Sequence, residues 1–146
     1  MKTSVEENLR IIDARREAVN AKDMDRFEKF HAMSVITHAP MAPEPLKGRA
    51  ALRGFVEGFF AAFPDMRATK ERSFGQGDWV CTESVFTGTH TGPLQTPMGP
   101  AIPPTNRSFR VVDCTTFKLE GGEVTEVHSY FDVTGMMAQL GLLPAP

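Results

Sequence analysis

The segment EVHSYFD, Glu126 to Asp132, lies near the end of the chain and shows the period-two alternation of a β-strand. Alternation places four polar side chains on one face, namely Glu126, His128, Tyr130 and Asp132. The opposite face carries Val127 and Phe131. Because each unpaired polar group costs roughly 2–7 kcal/mol when buried, the polar face must either contact water or line a pocket that uses these groups. We favour the pocket.

Asp132 has a second interpretation at the end of this strand. It precedes a short predicted helix, Thr134 to Leu140, and Asp is a favoured residue at a helix N-cap. Capping and chemistry are compatible only if the carboxylate faces the cavity.

The period-two pattern extends through the second half of the chain. It predicts three more strands, Ala68 to Phe74, Trp79 to His90 and Arg107 to Leu119. The turn Glu120-Gly121-Gly122 joins the last two strands, so we expect a β-hairpin there. The segment Gly92 to Pro104 lies between the predicted strands Trp79 to His90 and Arg107 to Leu119, and five of its thirteen residues are Pro and two are Gly. This composition predicts a mobile loop.

The first half of the chain is helical in pattern. Ser4 followed by Glu7 is a capping box and opens an amphipathic helix that ends near Lys22, and Asp23 caps a short second helix. A third helix runs from Gly48 to Pro64, after a short strand from Ser34 to His38. Helices first and antiparallel strands afterwards indicate an α+β fold, a strongly curved sheet with the helices packed on it. A cavity between helices and concave face is a common place for a small-molecule site.

Length and composition predict one domain, residues 1–146, of 16.1 kDa. A net charge of −2 and a pI near 6.1 give no reason to expect nucleic acid as a partner. No stretch approaches the roughly 18–20 apolar residues of a membrane span, so we expect no membrane partner and a cytoplasmic location. The spacing of the Cys and His residues matches no metal motif, so we expect no metal.

A set of short motifs resembles those of one known family. The motifs are, in order, Phe63-Pro64-Asp65, Gly77-Asp78-Trp79-Val80, Gly88 to Pro93, Pro103-Pro104-Thr105, Glu126, Asp132 and Gln139-Leu140-Gly141. From about Val5 to Leu143 the chain resembles the SnoaL-like polyketide cyclases, or ester cyclases, of the nuclear transport factor 2-like superfamily. Two features depart from the family pattern: a longer loop before Pro103, and Asn106 where a Gly is usual.

The resemblance implies a cone-shaped α+β barrel, often dimeric, with a deep apolar pocket for a small apolar ligand. It also implies ring closure of an aromatic ester by intramolecular aldol condensation, without metal or cofactor. An aspartate near the end of the last strand acts there as acid and base, and Asp132 matches it in position. The expected homodimer would use the outer face of the sheet, which the N-terminal helices cannot cover.

Further site residues follow from strand faces and ends. His90 ends a strand whose face carries Phe86, so His90 is a candidate proton donor to a substrate carbonyl. His38, at the end of the first strand, is a candidate for the pocket mouth. The remaining candidate substrate-binding residues are His128, Tyr130, Phe59 and Phe86.

Two other functions stay open. One is a binding protein of the same fold that sequesters an apolar ligand without catalysis. The other is an epoxide-opening hydrolase, which needs two carboxylates and an Arg around a water. Asp113, Glu83 and Arg110 are available for it, but alternation places Asp113 and Arg110 on opposite faces, so this hypothesis ranks last.

Overall fold

The computed structural model describes residues 2–97 and 99–143. In these residues there are four helices: α1 Val5–Asn20, α2 Met24–Lys29, α3 Arg49–Ala62 and α4 Val133–Gln139. The strands in the described part are β1 His31–His38, β2 Leu46–Lys47, β3 Arg67–Gln76, β4 Trp79–Thr89, β5 Ser108–Glu120 and β6 Glu123–Phe131. The predicted α+β class and the predicted order of elements are confirmed.

The strands form one curled sheet in the order β2-β1-β6-β5-β4-β3, and its two edges do not meet. Neighbouring strands are antiparallel except β1 and β6, which pair in parallel. A parallel pair needs a long crossover connection, and here most of the chain lies between these two strands. The β5–β6 hairpin turns at Gly121 and Gly122, both with positive φ.

The helix ends agree with the capping residues of the sequence. Ser4 Oγ accepts a hydrogen bond from Glu7 N at 3.1 Å and begins α1. Asp23 Oδ1 accepts one from Arg26 N at 3.1 Å and begins α2. These contacts satisfy backbone N–H groups that have no partner within the first helical turn.

The core has three apolar clusters between the helices and the concave face of the sheet. One surrounds Ile12, Val35 and Phe117 on the inner side of α1, and a second lies where α1, α2 and α3 meet around Phe27. The third packs Phe63, Phe109 and Met136 under the C-terminal ends of α3 and α4. The space that remains between these clusters forms the cavity described below.

The proline-rich segment between β4 and β5 is anchored on both of its arms. Leu94 is buried, and its backbone exchanges two hydrogen bonds with Ile102, at 2.9 and 2.8 Å. Position 98, inside the predicted mobile loop, lies outside the described residues.

Strand β2, which follows the Pro40–Pro45 turn, is a two-residue edge strand that the sequence pattern does not predict. Among the described residues, no helix has the length and apolar character of a membrane span.

Candidate active site

A cavity of about 150 Å³ lies between the helices and the concave face of the sheet. Its wall is largely aromatic and includes six phenylalanines: Phe27, Phe55, Phe59, Phe86, Phe109 and Phe131. An apolar cavity of that size can hold a molecule such as benzene. Phe59 and Phe86, two of the candidate substrate-binding residues, lie in this wall.

Five of the described residues that line this cavity have polar side chains: Arg15, Thr37, Asp113, Thr115 and Ser129. A second cavity of about 60 Å³ adjoins the first, and Arg15, Asp113 and Thr115 line both. The buried hydroxyls of Thr82 and Ser84 make the smaller cavity more polar. The charged groups of the site therefore lie between an aromatic compartment and a polar one.

Asp113 is the buried carboxylate of the site. It lies on the inner face of β5, in phase with Val111 and Phe117, and is 7% exposed. Ser129 Oγ on β6 donates a hydrogen bond to Asp113 Oδ2 at 2.6 Å, and Thr115 Oγ1 donates to Oδ1. Burial raises the pKa of Asp113, against the lowering effect of these two hydroxyls and of the Arg15 charge. A carboxyl group with a raised pKa suits both the removal and the return of a proton.

Arg15 brings a positive charge from α1 to the same cavity. The Phe27 and Phe117 rings flank its guanidinium, with both ring centroids 4.8 Å from Cζ. Burial lowers the pKa of Arg15 to about 10, so the side chain remains a cation at neutral pH. In the described part of the chain Arg15 and Asp113 form no direct ion pair, although the Asp113 charge acts on Arg15.

His31 holds the Arg15 guanidinium in place. Arg15 Nε donates a hydrogen bond to His31 Nε2 at 2.9 Å, and His31 Nδ1 donates to the Phe27 carbonyl oxygen at 3.0 Å. His31 must therefore be neutral, with its proton on Nδ1. Burial, followed by the Arg15 charge, lowers the pKa of His31 to about 3, in agreement with this assignment.

Asp132 does not line either cavity, so the prediction that it does is wrong. The apolar face of β6 points inward and carries Val127, Ser129 and Phe131. Asp132 is exposed and is the N-cap of α4, where its Oδ1 accepts a hydrogen bond from Gly135 N at 2.8 Å. The capping interpretation is thus the one that the structure shows.

The predicted grouping of Glu126, His128 and Tyr130 on one face of β6 is confirmed, but that face is the outer one. His128 Nε2 lies 3.2 Å from Glu126 Oε2, and Tyr130 is 60% exposed. The rings of His38 and His128 stack at 4.4 Å on the same outer surface. The expected cavity contacts of His38, His128 and Tyr130 are therefore wrong, because the hydrophobic effect directs the apolar face of each strand inward.

His90 is fully buried but does not line either cavity. Its ring lies 5.4 Å from that of Phe63, and its Nδ1 accepts a hydrogen bond from Thr105 N at 3.2 Å. Its backbone pairs with Arg107 and Asn106 across the base of the proline-rich loop. His90 is therefore placed to hold that loop, away from the cavity in which it was expected to donate a proton.

The sequence holds a signal for Arg15, which the predictions above do not name, and for Asp113, which they name only for the last-ranked hydrolase. Asp113 interrupts the apolar face Phe109, Val111, Phe117 and Leu119 of one strand. Arg15 occupies a position in the helical stripe between Ile12 and Val19 where an apolar residue is expected. A charged residue on a core-facing stripe indicates a buried functional charge or a paired one. Among the described residues, no group of three His, Cys, Asp or Glu side chains could hold a metal ion.

Comparison with known proteins adds a family and a fold. The sequence profile described as "SnoaL-like polyketide cyclase" matches residues 10–140. A search of curated proteins finds no match.

Solved structures of similar shape cover nearly the whole chain. IdmH of Streptomyces antibioticus, a proposed polyketide cyclase, has a TM-score of 0.77 at 27% identity and covers 92% of this chain and 98% of its own. A proposed SnoaL-like polyketide cyclase of Jannaschia has a TM-score of 0.84 at 20% identity and covers 99% of both chains. A Catenulispora acidiphila protein with a ketosteroid isomerase-like fold, in complex with trimethylamine, has a TM-score of 0.75 at 21% identity, covering 93% of this chain and 97% of its own. The predicted nuclear transport factor 2-like fold is confirmed.

Proposed function

Because this chain belongs to the SnoaL-like polyketide cyclase family, we propose that it is a cofactor-independent cyclase or isomerase and that Asp113 is its acid and base. The observation that supports the proposal is the Asp113 carboxyl group, which lies in an aromatic cavity with a raised pKa. The cytoplasmic location remains a prediction.

The reaction that we propose begins with proton transfer from carbon. The Asp113 carboxylate takes a proton from the carbon next to a substrate carbonyl, which leaves an enolate. The enolate carbon attacks a second carbonyl carbon of the same molecule, so one C–C bond forms and the C=O π bond becomes an alkoxide. Asp113 then returns its proton to the alkoxide oxygen. If no second carbonyl is in reach, return of the proton to another carbon gives isomerisation.

The hydroxyls of Ser129 and Thr115 support this role of Asp113. They hold one carboxylate oxygen each, so the carboxyl group has a fixed orientation toward the cavity. Each oxygen keeps a second lone pair for the substrate proton. Fixing the base in this way lowers the cost of reaching the reactive geometry.

The test compares two aspartates by the same substitution. Asp113→Asn keeps the size of the side chain and one acceptor oxygen but cannot take a proton, so turnover of a surrogate carbon acid should fall by roughly 10²–10⁴. Asp132→Asn is the matched control, because Asn caps a helix about as well as Asp. Its turnover and its unfolding free energy should both stay near the values of the native protein. The assay follows deuterium exchange at the activated carbon of a small aromatic keto ester by NMR.

Two outcomes contradict the assignment. Loss of exchange in Asp132→Asn with full exchange in Asp113→Asn would return the acid–base role to Asp132. Equal exchange in both variants and in the native protein, at the uncatalysed rate, would indicate the alternative of a non-catalytic binding protein. An epoxide hydrolase built on Asp113, Glu83 and Arg110 is not supported, since Glu83 is on the outer side in an ion pair with Arg72 at 2.7 Å.

A further inference from the structure

We propose that Arg15 and Thr37 form an anion-binding subsite in the main cavity, and that the molecule bound there presents a carboxylate, enolate or phenolate oxygen on an apolar body. The inference rests on the proposed function only in taking this cavity as the substrate site. It adds the charge of the ligand and the two residues that recognise it.

Arg15 has hydrogen-bond donors that the described part of the chain leaves unused. Its Nε is committed to His31, whereas no described residue accepts a hydrogen bond from Nη1 or Nη2. The flanking rings of Phe27 and Phe117 and the bond to His31 fix the plane of the guanidinium. Four N–H groups on a fixed, partly buried cation form a fork that matches an oxyanion with two lone pairs.

Thr37 gives an independent indication of a polar ligand in the same cavity. It lies on β1, is 2% exposed and lines the cavity, yet its Oγ1 has no hydrogen-bond partner among the described residues. Strand pairing with Leu46 and Val127 on both sides holds its backbone. Buried hydroxyls are almost always paired, so one without a described partner, in a residue that lines a cavity, supports a ligand atom that completes it.

The neighbouring Asp113 favours an anionic ligand at the moment of proton transfer. Its oxygens are held by Ser129 and Thr115 and make no direct ion pair with Arg15 in the described part of the chain. When Asp113 takes a proton, its charge becomes zero and the negative charge moves to the substrate oxygen. The Arg15 cation, which lines the same cavity, can then stabilise that negative oxygen. The low dielectric of the cavity strengthens the attraction between the two charges.

His31 acts on the subsite through Arg15, as a positioning residue. It accepts the Nε hydrogen bond only while it is neutral, and its second nitrogen is tied to the Phe27 carbonyl oxygen. The result is a chain of contacts from the α2 backbone through His31 to the guanidinium. This chain fixes the guanidinium through Nε, while Nη1 and Nη2 have no acceptor among the described residues.

The test measures binding of two probes that share a ring and differ in charge, benzoate and benzamide, by isothermal titration calorimetry at pH 7. The native protein should bind benzoate roughly 10- to 100-fold more tightly than benzamide, the usual worth of a charge-assisted hydrogen bond. Arg15→Met keeps an apolar stem and should lose this preference while it still binds benzamide. Arg10→Met removes the same charge from an exposed position of α1 and should keep the preference.

Thr37→Val gives a second measurement that does not depend on Arg15→Met remaining folded. Valine has the shape of threonine without the unpaired hydroxyl, so the variant should be at least as stable as the native protein in urea. Its affinity for benzoate should nevertheless fall several-fold. A purely structural Thr37 would not combine higher stability with weaker anion binding.

The results separate this inference from the proposed function. Equal affinity of the folded native protein for benzoate and benzamide, or no binding of benzoate at millimolar concentrations, overturns the subsite. A preference for benzoate that survives in both Arg15→Met and Thr37→Val also overturns it. Asp113→Asn should bind benzoate as tightly as the native protein or more so, because a competing negative charge is gone. Loss of turnover in Asp113→Asn tests only the acid–base role of Asp113 and does not bear on the anion-binding subsite.

Discussion

Asp113 shows how opposing effects set the state of one buried carboxyl group. Two hydroxyl donors and a nearby cation favour the charged form, and each lowers the pKa. Removal of the group from water favours the neutral form, and this effect is the largest, so the pKa is raised overall. At this position the protein keeps a group that is unfavourable for stability, which is common where a side chain has a chemical role.

The lowered pKa of His31 leads to a prediction of how folding stability changes with pH. Its pKa is about 3 in the folded chain, against the ordinary histidine value of 6.5, so the unfolded chain binds the extra proton first as the pH falls. The stability that depends on neutral His31 is complete above pH 6.5 and is lost as the pH falls toward 3. At pH 5 the loss should be on the order of 2 kcal/mol, from about 1.4 kcal/mol per pH unit.

Urea unfolding at pH 7 and pH 5 checks this pH dependence. His31→Gln should lose less stability between the two pH values than the native protein, by on the order of 2 kcal/mol. His38→Gln, on the outer surface, should lose as much as the native protein. The contribution of Asp113 to this pH dependence has the opposite sign, because its raised pKa makes protonation favour the folded state. That contribution is common to all three proteins. An equal pH dependence in His31→Gln would contradict the assignment.

At the scale of elements, the end of α3 and the loop after β4 meet at a glycine. The backbone N–H groups of Thr91 and Gly92 both bond the Ala62 carbonyl oxygen at 3.1 Å. A Cβ at position 92 would lie 1.9 Å from the carbonyl oxygen of Ala61, closer than any real contact. The loop can therefore dock on α3 only because residue 92 has no side chain.

Substitution of glycines by alanine tests this docking. Gly92→Ala should lower the unfolding free energy by about 2 kcal/mol or more, since backbone must move to relieve the clash. Gly58→Ala in α3 is the matched control, because no atom lies within 4 Å of its added Cβ. That substitution should stabilise the helix by roughly 0.5–1 kcal/mol. Thermal unfolding followed by circular dichroism measures both, and a neutral Gly92→Ala would mean that the loop does not need this contact.

At the scale of the whole molecule, the outer face of the sheet is an apolar surface that the helices leave uncovered. Large apolar side chains are exposed there, with Phe74 at 57%, Val112 at 51% and Tyr130 at 60%. Val111 and Phe117 of β5 point inward, so the residues of opposite phase on that strand belong to the outer surface. Contiguous exposed apolar surface often marks an interaction site between proteins.

We expect this surface to join two copies of the chain. Light scattering after size exclusion should give twice the chain mass of 16.1 kDa at micromolar concentration. Val112→Glu should shift the protein toward monomer, since a buried unpaired charge is costly at an interface. Ala51→Glu adds the same charge on an exposed position of α3 and should leave the dimer intact. A native protein that is monomeric under these conditions would contradict the proposal.

Local patterns in the sequence determined the elements and most of their ends. Ser4 and Asp23 begin helices because their side chains bond backbone N–H groups a few residues away, a contact that needs no tertiary partner. The strands and the two faces of each one follow from alternation, which is equally local. These features depend on neighbours in the chain, so the sequence alone predicts them.

Only the tertiary structure decided which face of β6 lines the cavity and which charges meet there. Alternation separates Val127 and Phe131 from His128 and Tyr130 but does not say what each face contacts. Burial of apolar area turned the Val127 face inward, and Asp132 was left outside as a cap. Arg15 and Asp113 are almost a hundred residues apart, and only the packing of α1 on the concave face of β5 brings both to one cavity.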